Sequence, residues 1–252
     1  MKPYQELTFA DDFMFCKVLV DNPELAVKLV EISTGRKVHH IVLLKDQYSI
    51  SETYAGRGVR FDVYFEDDAG TKYDLEMQTT KQSFLPKRTR YYQSSADMDS
   101  LKRGKEYSEL PNLYIVFFCL KDPFKSGLPK YTFENRCLEN GEVLKDGVQK
   151  IFINAESVLK TDPELQELIE YLRSGNVSDS LSRELDDAVR IAKLDEEGKR
   201  MYISYQDKIK EHFEAGLEKG RAERAEEVEQ LKQEKNAMQA EIDRLRRQLE
   251  NK

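Results

Sequence analysis

The chain of 252 residues is poor in cysteine, the side chain that forms disulfides and many zinc sites. Its three cysteines, Cys16, Cys119 and Cys137, are odd in number, widely spaced and without a C-x-x-C pair. A zinc site or a disulfide framework is therefore not expected. Cys16 falls in a helical pattern and Cys119 in an apolar run, so we expect both to be buried free thiols, as in the reducing cytosol.

Other common functional signals are also missing. The three histidines, His39, His40 and His212, show no metal-site spacing and no catalytic partner. There is no glycine-rich phosphate loop and no Ser-His-Asp arrangement. Residues 1–8 lack the apolar stretch of a signal peptide, and the longest apolar run, 113–120, is too short to cross a bilayer. We therefore expect a cytoplasmic protein with no membrane segment and no organic cofactor.

Charged residues, in contrast, are abundant. They make up 35% of the chain, hydrophobic residues make up 39%, and the net charge is −7. This level of charge predicts that part of the chain is a solvated helix or a coiled coil. The acidic balance argues against a protein coated in positive charge, but it is compatible with a local basic groove for DNA.

Local signals predict an α/β part followed by a helical part. Asp11 and Asp12 precede a first helix, and Asn22-Pro23 opens a second that stops near Gly35. Strands are predicted over 40–44, 48–54, 60–66, 72–79, 113–120, 131–136 and 149–154, and a helix over 87–103, ended by Gly104. The predicted domains are an α/β core over 1–160, a helical region over 161–205 and a charged helix over 206–252.

The charged helix carries a heptad pattern. Seven residues recur at spacings of 3 and 4, as in the a/d seam of a coiled coil: Val228, Leu231, Lys235, Met238, Ile242, Leu245 and Leu249. In a parallel pair, Glu227 would face Lys232 of the second chain and Glu241 would face Arg246, which are both attractive pairings. The pattern predicts a homodimer through this helix. The alternative is a single charged helix folded back on the body.

Segments 60–66 and 72–78 form the hairpin of greatest interest. A three-residue loop over 68–70, with Gly70 in the left-handed position, is a common hairpin connection. It pairs residue 66 with 72, 64 with 74 and 62 with 76, and the shared apolar face selects this register. That face comprises Phe61, Val63, Phe65, Tyr73, Leu75 and Met77. Asp62, Glu76 and Gln78 then emerge together on the other face.

Asp62 and Glu76 would stand side by side, with Cβ atoms about 4.5–5.5 Å apart. Like charges so placed repel each other, and a divalent cation removes the repulsion. Carboxylate oxygens are ligands that Mg²⁺ prefers, and the ion can polarise a phosphodiester and activate water. Gln78 could orient that water or a phosphate oxygen. From the pattern alone, a solvated strand face that carries acids by chance stays open as the alternative.

These residues resemble the signature of the PD-(D/E)XK nuclease superfamily, an acid on one strand, a turn, and E/D-x-K on the next. Glu76-Met77-Gln78 departs from it by having Gln in place of Lys. E-x-Q at this point is similar to the recombination-promoting nuclease and transposase (Rpn) branch. Other segments resemble that branch in order across most of residues 7–220. They are Asp12 to Phe15, Lys87 to Tyr107, Phe117 to Cys119, Tyr131 to Arg136 and Glu214 to Gly220.

The resemblance implies an α/β fold with a restriction-endonuclease-like core, a mixed central sheet flanked by helices. A helical C-terminal region with the coiled-coil tail would follow. It implies Mg²⁺-dependent DNA cleavage, with Mn²⁺ or Ca²⁺ as alternative ions, Asp62 and Glu76 as metal ligands, and Gln78 as a further catalytic residue. Asp12, on the opening helix, becomes a further catalytic acid, a role compatible with capping that helix.

Lys87, Arg88 and Arg90 are the candidate DNA-binding residues, because they follow the E-x-Q strand closely. Arg88 and Arg90 do not share a helical face, so one can reach a phosphate while the other is solvated. Surface solvation with a salt bridge is the alternative for these residues. The predicted function is a DNA endonuclease linked to recombination, mobile elements or defence. The alternative is a weak or inactive nuclease fold that binds DNA or protein as a dimer, and the sequence does not separate DNA from RNA as substrate.

Overall fold

A computed structural model describes residues 2–50, 59–101 and 103–250 of the chain. The described residues form two compact units, which comprise residues 2–198 and the chain from residue 199 onward. The strands of the first unit are β1 (Ile41–Ile50), β2 (Val59–Asp67), β3 (Lys72–Gln78), β4 (Leu113–Cys119), β5 (Lys130–Phe133) and β6 (Val148–Asn154). The helices of the described chain are α1 (Asp12–Asp21), α2 (Pro23–Thr34), α3 (Leu85–Ser100), α4 (Pro163–Ser174), α5 (Ser180–Leu194) and α6 (Glu196–Glu250).

Within the described ranges the strands form one six-stranded mixed sheet in the order β1-β2-β3-β4-β6-β5. The pairs β1–β2, β2–β3 and β5–β6 are antiparallel, whereas β3, β4 and β6 run parallel. Because β3 and β4 are parallel, the chain crosses between them through α3, as parallel pairing requires. The predicted α/β class with a mixed central sheet is confirmed.

Helices cover both faces of this sheet. The ring of Phe118 on β4 lies 5.7 Å from that of Phe15 on α1, and the ring of Phe117 lies 6.5 Å from that of Tyr92 on α3. Neighbouring residues of a strand point to opposite faces, so α1 and α3 lie on opposite sides of the sheet. Every residue of β4 is buried, as its apolar sequence predicts.

Helix ends follow the local signals in most places. Pro23 occupies the first turn of α2, and Gly35, with a φ of 73°, ends it in the left-handed region. Asp162 caps α4, where its side chain accepts a hydrogen bond from the amide of Leu165 at 3.0 Å.

Three predicted boundaries were wrong. β1 is one strand that pairs along β2 with a register shift between Ile41 and Leu43, rather than two strands; residues 51–54 lie outside the described ranges. α3 ends at Ser100, short of Gly104, because Leu101 already has an extended backbone. β5 ends at Phe133 rather than at residue 136.

The turn between β2 and β3 fixes their register. Residues 63–66 pair with 72–75, as predicted from the sequence. The Asp67 side chain accepts from the amide of Thr71 at 2.8 Å, and its backbone carbonyl accepts from the amide of Gly70 at 3.0 Å. Gly70 has a φ of 77°, a conformation that favours glycine.

The second unit is the greater part of α6. Four apolar heptad positions with described side chains, Val228, Leu231, Met238 and Ile242, are between 42% and 65% exposed. The coiled-coil pairing of this helix stays a prediction. None of the helices in the described part of the chain is both long and apolar enough to span a membrane.

Candidate active site

Asp62 and Glu76 meet where β2 begins and β3 ends. The amide of Asp62 donates to Glu76 Oε1 at 3.1 Å, and the amide of Met77 donates to Asp62 Oδ2 at 3.2 Å. The recorded ladder pairs of the two strands end at Val63 and Leu75. The two acids therefore stand together through bonds from side chain to facing backbone, rather than as a regular ladder pair.

Phe61 does not share a face with Phe65, contrary to the prediction. The ring of Phe61 lies 5.2 Å from that of Tyr64, whereas Phe65 stacks on Tyr73 at 4.8 Å. Residues 61 and 64 cannot share a face in a regularly alternating strand. The alternation of β2 thus breaks around Asp62, where a side chain rather than the backbone bonds to the facing strand.

The polar face of the hairpin is buried rather than solvated. Glu76 is fully buried and Gln78 is 7% exposed, because Arg88 of α3 lies over both, whereas Asp62 is half-buried. The interpretation of these residues as a solvated strand face is therefore wrong. A buried charge is costly unless it is paired, so the partners of these acids decide what the cluster can do.

Arg88 on α3 is the cation bonded to Glu76. Its Nη2 donates to Glu76 Oε2 at 2.6 Å, and its Nη1 donates to Gln78 Oε1 at 3.2 Å. Its Nε donates to the Tyr92 hydroxyl at 2.9 Å, and the guanidinium lies 4.9 Å from the Tyr92 ring centre and 5.7 Å from that of Phe117. All three nitrogens of the guanidinium are thus held, which fixes one positive charge beside the E-x-Q segment.

Gln78 is held at both ends of its amide. Its oxygen accepts from Arg88, and its Nε2 donates to the carbonyl of Thr80 at 2.6 Å. A neutral amide therefore stands where the superfamily signature has Lys. The positive charge beside Glu76 comes from helix α3 instead.

Asp74 is a buried acid to which the sequence gave no role. It is fully buried, and no described group other than the Glu76 side chain bonds to its oxygens. Burial, and then the charge of Asp62, raise the pKa of Asp74 well above its ordinary value. The same two causes raise the pKa of Glu76, against the effect of Arg88. Glu76 receives two donors from other groups, whereas Asp74 receives none, so Asp74 is the less compensated of the two buried acids.

Asp12 faces the same cluster from α1. Burial, and then the charge of Asp12, raise the pKa of Asp62 to about 6. Burial also raises the pKa of Asp12, and the charge of Arg60 opposes this. The N-cap position of α1 belongs to Asp11, and Asp12 is the first residue of the helix itself. The interpretation of Asp12 as the cap is therefore wrong, and its carboxylate lies within electrostatic range of Asp62.

The three basic residues of α3 are separated by the structure. Arg88 lies within the acidic cluster, whereas Lys87 and Arg90 are exposed. The surface salt bridge considered for Arg88 is in fact an ion pair with a buried acid. Lys87 and Arg90 are left as the members of this group that face solvent.

The donor set consists of carboxylate oxygens, which are the hard ligands that divalent cations such as Mg²⁺ or Ca²⁺ prefer. Among the residues that the structure describes, however, no group of three or more His, Cys, Asp or Glu side chains is arranged to hold a metal ion. Glu76 has both oxygens occupied by donors, the amide of Asp62 and the guanidinium of Arg88. The excess of buried acid, including the otherwise unpartnered Asp74, fits a divalent cation.

This arrangement lies within a chain that matches one family over most of its length. A family model described as PD-(D/E)XK nuclease family transposase matches residues 11–246. The chain belongs to the PD-(D/E)XK nuclease family of transposases. Membership confirms the resemblance and supports a nuclease or transposase-like role on DNA. Among curated proteins and among solved structures, none shows significant similarity to the chain.

Sequence reasoning missed several residues of this cluster. Asp74 carried a usable signal, since alternation places it on the same face as Glu76. Tyr92 was interpreted as a packing residue, but its hydroxyl also accepts from Arg88 and donates to the carbonyl of Arg60 at 3.2 Å. No local signal pointed to the ion pair between Arg88 and Glu76, because it depends on how α3 is rotated over the sheet.

Proposed function

We propose that the protein is a divalent-metal-dependent endonuclease that hydrolyses phosphodiester bonds of DNA. The observation that carries the proposal is the meeting of Asp62 and Glu76 at the end of β3, in a chain of a PD-(D/E)XK family. These two residues would hold Mg²⁺, with Mn²⁺ or Ca²⁺ as alternatives. Such an ion, when bound, polarises the phosphodiester and lowers the pKa of an attacking water.

Gln78 and Asp12 have supporting roles in this proposal. Gln78 has no ionisable group, so it orients rather than transfers protons. Its amide oxygen accepts from Arg88 and could instead accept from a water, whereas its Nε2, which donates to the carbonyl of Thr80, could instead donate to a phosphate oxygen. Asp12 adds a negative charge opposite Asp62, which strengthens the attraction of the site for a cation.

Lys87 and Arg90 supply the proposed contact with the DNA backbone. Both are exposed on α3, the helix that also carries Arg88 into the site. A chain with a net charge of −7 can bind DNA through such a local basic surface, and the binding then weakens steeply with salt. Recombination, mobile-element movement and defence are the processes that such cleavage would serve.

The test is plasmid cleavage by the purified full chain, with Mg²⁺, Mn²⁺, Ca²⁺ or EDTA, beside an RNA substrate of similar length. We expect nicking of plasmid with Mg²⁺ or Mn²⁺, none with EDTA, and less cleavage of RNA. Cleavage of RNA in preference to DNA would overturn the assignment of DNA as the substrate. Cleavage that persists in EDTA would overturn the metal dependence.

One observation favours a second function, a nuclease fold that binds DNA or protein with little or no cleavage. Gln78 cannot carry the charge of the Lys in the usual signature, and Arg88 already neutralises Glu76. On this alternative the acidic cluster is a structural ion-pair network. DNA binding without cleavage under any of the metals would select it.

The proposal includes a homodimer through α6. Val228 and Met238 are 42% and 65% exposed, and they belong to a heptad seam that a second copy of the helix would cover. Across a parallel pair, Glu227 and Glu241 of one chain would attract Lys232 and Arg246 of the other. Unlike a partner of other sequence, a second copy supplies both the apolar seam and the matching charges.

A cytoplasmic location completes the proposal. Cys16 and Cys119 are buried free thiols, as predicted, and Cys137 is free and exposed. Free thiols are stable in a reducing compartment. Cell fractionation with detection of the native protein would test this, and recovery outside the cytoplasmic fraction would contradict it.

A further inference from the structure

Both carboxylate oxygens of Glu76 accept a hydrogen bond. Oε1 accepts from the amide of Asp62 at 3.1 Å, and Oε2 accepts from Arg88 Nη2 at 2.6 Å. The Glu76 side chain is only 1% exposed, so solvent water does not replace either donor. Any cation that binds through Glu76 therefore meets a site that is already neutralised.

A divalent cation and a guanidinium on one buried carboxylate repel each other, because low local dielectric strengthens the interaction between like charges. The two donors to Glu76 differ in their freedom to move. The amide of Asp62 is part of the β2 backbone, which the hairpin holds. Arg88 is a long side chain on α3 with 25% of its surface exposed, so it is the donor that can leave.

Arg88 keeps several contacts when it releases Glu76. Its Nε bonds to the Tyr92 hydroxyl, and its Nη1 bonds to the side-chain oxygens of Gln78 at 3.2 Å and Gln82 at 3.4 Å. These partners are neutral, so they position the guanidinium without compensating its positive charge. The guanidinium would thus stay at the site with Nη2 free, and a phosphate oxygen is the anion that a guanidinium binds well.

We propose that Arg88 is the resident counter-ion of Glu76, that it would leave Glu76 when a divalent cation binds there, and that its Nη2 would then be free to bind a DNA phosphate. The inference rests on the proposed function, because it takes Glu76 as a metal ligand. Arg88 is then a positioning residue that sets how readily the site loads metal. It neutralises Glu76 before loading, at the cost of affinity for the ion.

Titration calorimetry of Mn²⁺ into the full chain without DNA tests this exchange. We expect Arg88→Met to bind Mn²⁺ about tenfold more tightly than wild type, which is about 1.4 kcal/mol. Arg90→Met, an exposed arginine of the same helix, should leave the affinity unchanged. The gain should disappear in the double variant Arg88→Met, Glu76→Gln. Equal or weaker binding by Arg88→Met, with binding by wild type intact, would overturn the exchange.

Failure of the proposed metal site gives a different result. If wild type and all variants bind no Mn²⁺, the metal site itself is wrong and the exchange falls with it. If the wild type binds Mn²⁺ but Arg88→Met does not fold, the exchange can still be tested on the wild-type chain by chemical modification of arginine. Phenylglyoxal modification, located by mass spectrometry, should increase at Arg88 on saturation with Mn²⁺ and stay constant at Arg90. Equal modification of Arg88 with and without Mn²⁺ would overturn the proposal.

Discussion

The α/β unit buries charge, whereas the C-terminal helix exposes apolar surface. At the end of β3, Asp74 and Glu76 are fully buried against the single guanidinium of Arg88. Along α6, apolar heptad residues such as Leu231 and Met238 are 56% and 65% exposed. Each region therefore stands in an environment that its side chains do not favour alone. In our proposal, a divalent cation compensates the first region and a second copy of α6 covers the second.

The two regions differ in the free energy that a single substitution is expected to change. Removing one partner of a buried ion pair costs about 3–5 kcal/mol, because it leaves an uncompensated charge. Covering one exposed apolar side chain gains about 1.5–3 kcal/mol. Changes in the acidic cluster should therefore have larger effects on one chain than changes along α6, where the effects appear in the association of chains.

The largest effect is expected from Glu76→Gln. Gln keeps the shape and can still bond to the amide of Asp62, but it removes the charge that attracts a cation. Loss of a residue that only supports a metal ligand typically lowers activity about 10–100-fold. Because Glu76 is proposed as a ligand itself, cleavage should fall by more than that. Plasmid nicking measures this, and Asp68→Asn, an exposed acid in the turn of the same hairpin, serves as control. Unchanged nicking by Glu76→Gln would show that the buried acid is structural.

Arg88→Met should destabilise the metal-free chain by about 3 kcal/mol, because buried Glu76 loses its ion-pair partner. Urea denaturation in EDTA measures the free energy of unfolding. Arg90→Met, at an exposed position, should change it by less than about 0.5 kcal/mol. Equal stability of the two variants would mean that the ion pair contributes little to the fold.

The association of chains through α6 should be lost in the double variant Leu231→Glu, Met238→Glu. Two like charges would then face each other at d positions of the seam. Sedimentation equilibrium at micromolar concentration should show a dimer for wild type and a monomer for the variant. Ile203→Glu, the same change at a 50% exposed position outside the seam, should remain a dimer. A monomeric wild type would contradict the coiled coil.

Acidic pH should weaken the effect of metal on stability. The pKa of Asp62 is raised from 3.8 to about 6, so between these values the unfolded chain ionises this group while the folded chain keeps the proton. Stability in EDTA therefore falls as the pH rises through this window and levels off above it. A metal ion requires the ionised form, so the increase in Tm caused by Mg²⁺ should be larger at pH 8 than at pH 5. An equal increase at both values would contradict the assignment of Asp62.

The smallest effects are expected at the exposed basic residues. Lys87→Ala and Arg90→Ala should each weaken DNA binding about equally for all sequences and reduce the salt dependence by about one phosphate contact. Fluorescence anisotropy at several salt concentrations measures both. Lys160→Ala, an exposed lysine outside α3, should leave the slope unchanged. An unchanged slope in the α3 variants would place the DNA surface elsewhere.

Much of the fold followed from local signals. The loop over 68–70 and the alternation of 63–66 against 72–75 determined the hairpin register, since both depend on neighbouring residues. The first two helices began and ended near the predicted residues for the same reason. The site was predictable to this extent: the hairpin register brings Asp62 and Glu76 near each other, although side chain-to-backbone bonds replace the expected ladder pair.

What failed depends on contacts across the fold. The predicted side of the sheet for Phe61 was wrong. The Asp62 side chain accepts from the amide of Met77, and the alternation of β2 breaks there. The ion pair of Arg88 was missed, because the rotation of α3 over the sheet is set by packing around Tyr92 and Phe117. A pattern along one strand or one helix contains no information on either.

The most direct test of the account compares plasmid nicking by wild type and Asp62→Asn in Mg²⁺, with circular dichroism of both. Asn keeps the size of the side chain and removes the charge on which the proposed metal site depends. We expect metal-dependent nicking by the wild-type protein and none by a folded Asp62→Asn. Nicking of equal rate by the folded variant would contradict the claim that the acids at the end of β3 are the catalytic centre.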